Sequence, residues 1–256
     1  MMMNSEQIAE VAKQFHNARD EGSRLDLITK AHPELSMEDA YEIARKTAML
    51  TGSSITGYKL GFTSAAMRQQ MNISAPNYGR LTADLHESEL SQGKLVHPRI
   101  EPEITLLIGS DISEMPGTIE ACWDHIEAVM PSLEIVDTRF HRYDFTLVDN
   151  TADNSSAAGY VMGAHHKPDA IMNQQVRVRL SGGDTKPLFG SSEDALGGPV
   201  EAFYWLCQKL IPLGETINAG SLIMTGGLTA APFLKNRTKF LAEFENLGSA
   251  TFTWET

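Results

Sequence analysis

Through the first 52 residues the apolar positions recur at helical spacing. In "SEQIAEVAKQFHNARDEG", Ile8, Val11, Ala12 and Phe15 fall on one face and the pattern stops at Gly22, which predicts an amphipathic helix. "SMEDAYEIARKTAMLTG" opens on Ser36 as an N-cap, with Asp39 three residues on as a shortened capping box, and stops at Gly52. Beyond Gly57 the period changes to short apolar runs broken by Gly, Pro, Asn and Asp. These runs predict strands over Thr56–Leu60, Ile100–Ile108, Leu133–Arg139, Ala158–Met162, Val176–Leu180, Leu222–Thr225 and Ala250–Trp254. Two helices interrupt them. "GTIEACWDHIEAVM" runs from Thr118 with Ile119, Cys122, Trp123, Ile126 and Met130 on one side, and "GPVEAFYWLCQKL" carries Pro199 in its first turn. Strands that outnumber helices without alternating with them argue against a doubly wound parallel sheet. The expected architecture is α+β: a small helical segment over residues 1–55 on a β-rich domain over residues 56–256.

Composition adds exclusions. A hydrophobic fraction of 42% supports a sizeable core without staples. The formal net charge of -12 disfavours nucleic acid and anionic membranes as partners, so an anionic substrate would need a local cation. No apolar run approaches the roughly 18 residues of a membrane span. "MMMNSEQIAE" lacks the basic and apolar regions of a secretory signal. Cys122 and Cys207 are the only cysteines, and both read as reduced core thiols of a cytoplasmic protein.

The chemistry-bearing residues stand out against this pattern. In "IEPEITLLIG", Glu101 and Glu103 sit two apart on a strand and so point to the same face. Like charges that close repel unless a cation or proton lies between them. Glu134, between Leu133 and Ile135, is a third acid in an apolar strand. Three carboxylates without ligand-spaced histidine or cysteine point to a hard divalent ion, Mg²⁺ or Mn²⁺; a solvated strand face is the competing reading. Lys59 in "GYKLGFTS" is either a snorkelling surface lysine or a cation beside an anionic substrate. The polar run in "DNTADNSSAAGYVMG" reads as turn chemistry, and His165–His166 as a solvated loop.

Taken together, "GYKLGFTS", "PNYGRLTADL", "HPRIEPEITLLIG", "MPSLEIVDTRF", "TADNSSAAGYVMG", "IMTGGLTAA" and "ENLGSATF" resemble, in order, the 2-keto-4-pentenoate hydratase and 4-oxalocrotonate decarboxylase family of the fumarylacetoacetate hydrolase superfamily. The resemblance implies a mixed β-roll core and a β-rich catalytic domain. It implies Mg²⁺ or Mn²⁺ bound by Glu101, Glu103 and Glu134, and Lys59 as an active-site lysine. It places Asn77 beside Lys59 among the catalytic residues, and Leu81, Asp84 and Thr225 at the substrate. The substrate would be a small 2-oxo acid in aromatic meta-cleavage catabolism, and the protein a homo-oligomer with a related hydratase as a candidate partner. Hydratases of the family resemble P-D-[FY]-G where this chain has "PNYG", and Asn77 cannot act as a general acid or base. That difference favours decarboxylation of a 2-oxo-enedioate over hydration of a 2-hydroxypentadienoate. A non-catalytic subunit assembling with a hydratase is the reading from another class. Two segments depart from the family pattern: "GSSEDALGGP", with Gly198 where histidine is usual, and "KNRTKF" near the C-terminus.

Overall fold

Both N-terminal helices form, and their ends follow from their caps. In the computed structural model, which describes residues 3–88, 90–183, 186–235 and 237–255, α1 spans Ser5–Glu21. Asn4 and Gln7 close its capping box, and Gly22 ends it in the left-handed region at φ 64°. A short α2 (Ile28–Ala31) leads to α3 (Met37–Leu50), where the Ser36–Asp39 box is present as expected. The apolar faces of α1 and α3 meet over Val11, Phe15, Ala40 and Ile43. The pair is anchored to the rest of the chain by Phe140, whose ring meets Phe15 edge-on at 5.8 Å.

The body contains β1 (Ile55–Gly61), α4 (Ala65–Met71), β2 (Asn77–Thr82), β3 (Arg99–Ile108), β4 (Ile126–Val136), α5 (Leu147–Ala152), β5 (Ala157–Met162), β6 (Arg177–Gly182), β7 (Leu188–Ser191), α6 (Pro199–Leu210), β8 (Leu222–Met224), β9 (Thr238–Phe244) and β10 (Gly248–Trp254). Six strands in the order β2-β1-β8-β3-β4-β5 make a mixed, curled sheet in which only β1 and β8 run parallel. The antiparallel sheet β10-β9-β6-β7 completes the α+β fold. The core between them is lined by Ile100, Ile104, Leu133 and Ile135 from the central strands and by Phe203 and Leu206 from α6. Among the described residues no helix is long and apolar enough to cross a membrane. Cys122 and Cys207 are buried and free.

One helix expected from the sequence is absent. Residues Glu120–His125 form a 3-10 turn, and the chain then enters β4 at Ile126. Almost every residue of β4 is buried, on both faces, so its apolar run is nearly continuous and matches helical spacing by accident. The same strand ends at Val136, short of the Arg139 expected. Strands β2, β7 and β9 and helices α2, α4 and α5 are additional to the elements expected from the sequence, although β9 alternates buried Phe240, Ala242 and Phe244 with exposed Lys239 and Glu243.

Candidate metal centre and active-site cavity

The pleat of β3 explains how acids enter an apolar core. Ile100 and Ile104 turn into the hydrophobic interior, while Glu101 and Glu103 project from the opposite face. The β3–β4 register pairs Glu101 with Glu134, so the third carboxylate comes from directly across the sheet. One oxygen from each of the three lies within 4.8 Å of the others. Glu103 and Glu134 are fully buried, and Glu101 is half-buried at the edge of a cavity of about 310 Å³.

Lys59 arrives from β1, on the strand face opposite the core-facing Tyr58 and Leu60. Its Nζ lies 3.1 Å from Glu134 Oε1, an ion-pair distance without hydrogen-bond alignment, and donates to the Ser155 carbonyl at 3.0 Å. Burial works against its charge, but Glu134, Glu101 and Glu103 outweigh that and hold it above the ordinary lysine pKa. The carboxylates move the other way. Burial pushes Glu134 up to about 7 against the pull of Lys59, with Glu101 adding to the rise. Glu103 is raised well above the carboxylate range by burial and by its two acidic neighbours. Glu101 is raised by burial, opposed by Lys59 and Arg99.

The hydrogen bonding of the cluster is incomplete. Glu103 Oε2 accepts from the Gly226 N–H at 2.8 Å, but Glu103 Oε1 and both Glu134 oxygens accept no hydrogen bond. A buried carboxylate oxygen left without a donor is costly. Orphaned oxygens converging with a third carboxylate fit a hard divalent cation, which takes oxygen ligands. Two glycines let the backbone come close. Gly226 sits at φ 112°, and a Cβ at Gly227 would fall 2.7 Å from Glu101 Oε2.

Asn77, the first residue of β2, lies one layer behind the cavity. Its amide donates to Asn150 Oδ1 and Thr151 Oγ1, each at 2.9 Å, and its oxygen accepts from Ser155 Oγ at 2.9 Å. Leu81, Asp84 and Thr225 do not line the cavity. Leu81 packs with Leu85, Tyr160 and Met224, Asp84 pairs with Arg19, and the Thr225 hydroxyl donates to the Ile104 carbonyl at 2.7 Å.

The sequence reading passed over Arg99, Tyr143, Asn150, Ser155 and Ser156, all on the cavity wall. Asn154, Ser155 and Ser156 are consecutive non-glycine residues in the left-handed region, at φ 52°, 53° and 57°. Each such residue costs roughly 1–2 kcal/mol, and the neighbours hold the turn in place. The Asn154 side chain bridges the Arg80 N–H and carbonyl at 2.7 and 2.9 Å, and Asn150 donates to Ser156 Oγ. The strained turn is what aims the Ser155 carbonyl at Lys59. A run of Asp, Asn and Ser is the available signal, because Asn and Asp tolerate this backbone best.

Comparison with known proteins agrees with this geometry. Residues 54–254 match the model of the fumarylacetoacetate (FAA) hydrolase C-terminal family. A 4-oxalocrotonate decarboxylase from Pseudomonas sp is 36% identical over 237 residues, covering 88% of this chain and 91% of that one. A 2-keto-4-pentenoate hydratase from Paraburkholderia xenovorans (strain LB400) is 28% identical over 99% of this chain and 97% of its own. The solved structure of 4-oxalocrotonate decarboxylase from Pseudomonas putida G7, complexed with magnesium and adipate, superposes with a TM-score of 0.89 at 26% identity over 97% of both chains. The chain belongs to the fumarylacetoacetate hydrolase family, in its branch of metal-associated 4-oxalocrotonate decarboxylases and 2-keto-4-pentenoate hydratases.

Proposed function

We propose that this chain decarboxylates a 2-oxo-enedioate of the 4-oxalocrotonate type, releasing carbon dioxide and a 2-hydroxydienoate in aromatic meta-cleavage catabolism. The observation that carries the choice is Asn77. Hydration of a dienol needs a group that hands a proton to or from the far carbons. Asn77 is an amide with both polar ends engaged by Asn150, Thr151 and Ser155, and it has no proton to exchange at neutral pH. Losing a terminal carboxylate needs only a sink for its electron pair. A divalent cation held by Glu101, Glu103 and Glu134 would supply Lewis-acid charge at the 2-oxo group. Lys59 keeps a second positive charge at the cavity floor, where it can offset negative charge or move a proton. Phe62, Met67 and Phe145 add apolar surface to the cavity wall.

The same reading makes the protein a cytoplasmic homo-oligomer. A related hydratase is its candidate partner, since a 2-hydroxydienoate is what a hydratase consumes. The test is to incubate the purified chain with Mg²⁺ and 2-oxo-3-hexenedioate while following carbon dioxide. Release should outpace hydration of 2-hydroxypentadienoate, and Asn77→Asp should introduce some hydration by placing a proton-handling carboxylate directly behind the cavity wall. Efficient hydration by the unmodified chain, with no carbon dioxide from the dioate, would replace this reading with the hydratase one.

A further inference from the structure

Arg99 opens β3 two residues before Glu101, so the pleat sends its side chain to the face that carries both glutamates. Six other arginines pair with an acid: Arg19 with Asp84, Arg45 with Glu42, Arg80 with Glu215, Arg139 with Asp153, Arg177 with Glu245 and Arg179 with Glu243. Among the described residues no carboxylate lies within ion-pair distance of Arg99. Its guanidinium is instead clamped between two aromatic faces, 4.5 Å from the Tyr143 ring centroid and 4.0 Å from that of Phe233. Nη1 donates to the Ala231 carbonyl at 3.2 Å, while Nε is buried with no acceptor.

This cation faces the cavity. Arg99 and Lys59 are the two positive side chains on its wall among the described residues, and Lys59 already meets Glu134. The stacked rings fix the plane of the guanidinium and leave in-plane donors for a planar, anionic partner. The spacing selects that partner. Two residues along a strand advance about 7 Å, and five C–C bonds of about 1.5 Å in a zigzag span about 6 Å. A six-carbon dioate with its 2-oxo acid end at the glutamate cluster is therefore long enough to bring its other carboxylate to Arg99.

We propose that Arg99 anchors the remote carboxylate of a dioic 2-oxo acid in this cavity and so selects dioates over monoacids. The inference rests on the proposed function in taking the glutamate cluster as the seat of the 2-oxo acid end. It adds the residue that recognises the second charge. Because the anchor acts on the intact dioate, it contributes to binding before the bond breaks, and a product lacking that carboxylate loses it.

Calorimetry on the full chain with Mg²⁺ compares two unreactive ligands, 2-oxoadipate and 2-oxohexanoate, which differ only in the second carboxylate. The unmodified protein should bind the dioate about 10- to 100-fold more tightly, the range of one charged hydrogen-bonded contact. Arg99→Met should erase that preference while changing the 2-oxohexanoate affinity by less than about threefold. Arg99→Gln serves in its place should the methionine variant fail to fold. No dioate preference in the unmodified protein, including binding of neither ligand, would overturn the proposal. So would a preference that survives both substitutions, or an equal loss for both ligands. The two readings fail separately. An Arg99-dependent preference without carbon dioxide release sinks the decarboxylase reading alone, and release with a preference that ignores Arg99 sinks the anchor alone.

Discussion

Two buried acidic sites lie close together in this fold, and they are built on opposite plans. Asp153 accepts from the Thr138 hydroxyl at 2.9 Å, from the Arg139 N–H at 3.2 Å and from the Arg139 guanidinium. Burial raises its pKa to about 6, with Arg139 and Thr138 opposing the rise, so it is ionised at neutral pH. In the centre formed by Glu101, Glu103 and Glu134, Glu103 and Glu134 are equally removed from water and Glu101 meets the cavity. There three oxygens accept nothing, Lys59 is the cation at ion-pair distance, and Glu134 rises to about 7. A buried carboxylate with all its partners locks a local structure. A buried carboxylate without them stores the attraction for something that arrives later.

The sharpest way to break this comparison is Glu103→Gln. It keeps the shape and the Gly226 contact but removes one ligand charge, and metal-dependent turnover should fall by about 10³ or more while the fold survives. Steady-state carbon dioxide release at saturating Mg²⁺, with circular dichroism as the control for folding, measures it. Full activity would sink the metal assignment.

Asp153→Asn should do the reverse. It leaves the Arg139 guanidinium buried without its counter-charge, which costs about 3–5 kcal/mol of stability. Urea unfolding reads this directly. A loss below about 1 kcal/mol would mean that the pair is not structural.

The smallest effect is a pH dependence. Metal ligands must be deprotonated, and a carboxylate with a raised pKa keeps its proton to higher pH. Apparent Mg²⁺ affinity should therefore weaken as pH falls through Glu134's value of about 7, by about tenfold or more per unit because Glu103 and Glu101 are raised as well. Calorimetry in buffers of different ionisation enthalpy should show proton release at pH 6. A flat affinity between pH 5 and 8 would contradict the raised carboxylates.

Local pattern decided much of this protein. The caps at Ser36 and the glycine stop at Gly22 end the helices where short-range chemistry dictates. The alternation of β3 puts Glu101 and Glu103 on one face whatever surrounds them. The same rule puts Arg99, two residues earlier, on that face as well. The register that sets Glu134 opposite Glu101, the delivery of Lys59 from β1 and the left-handed turn at 154–156 were decided only by the tertiary structure. So was the strand at 126–130, where a helical period gave way to pairing with β3. Periodicity and capping act over a few residues and can be read along the chain. Register, strand pairing and backbone strain depend on contacts between residues far apart in sequence, which no local pattern encodes.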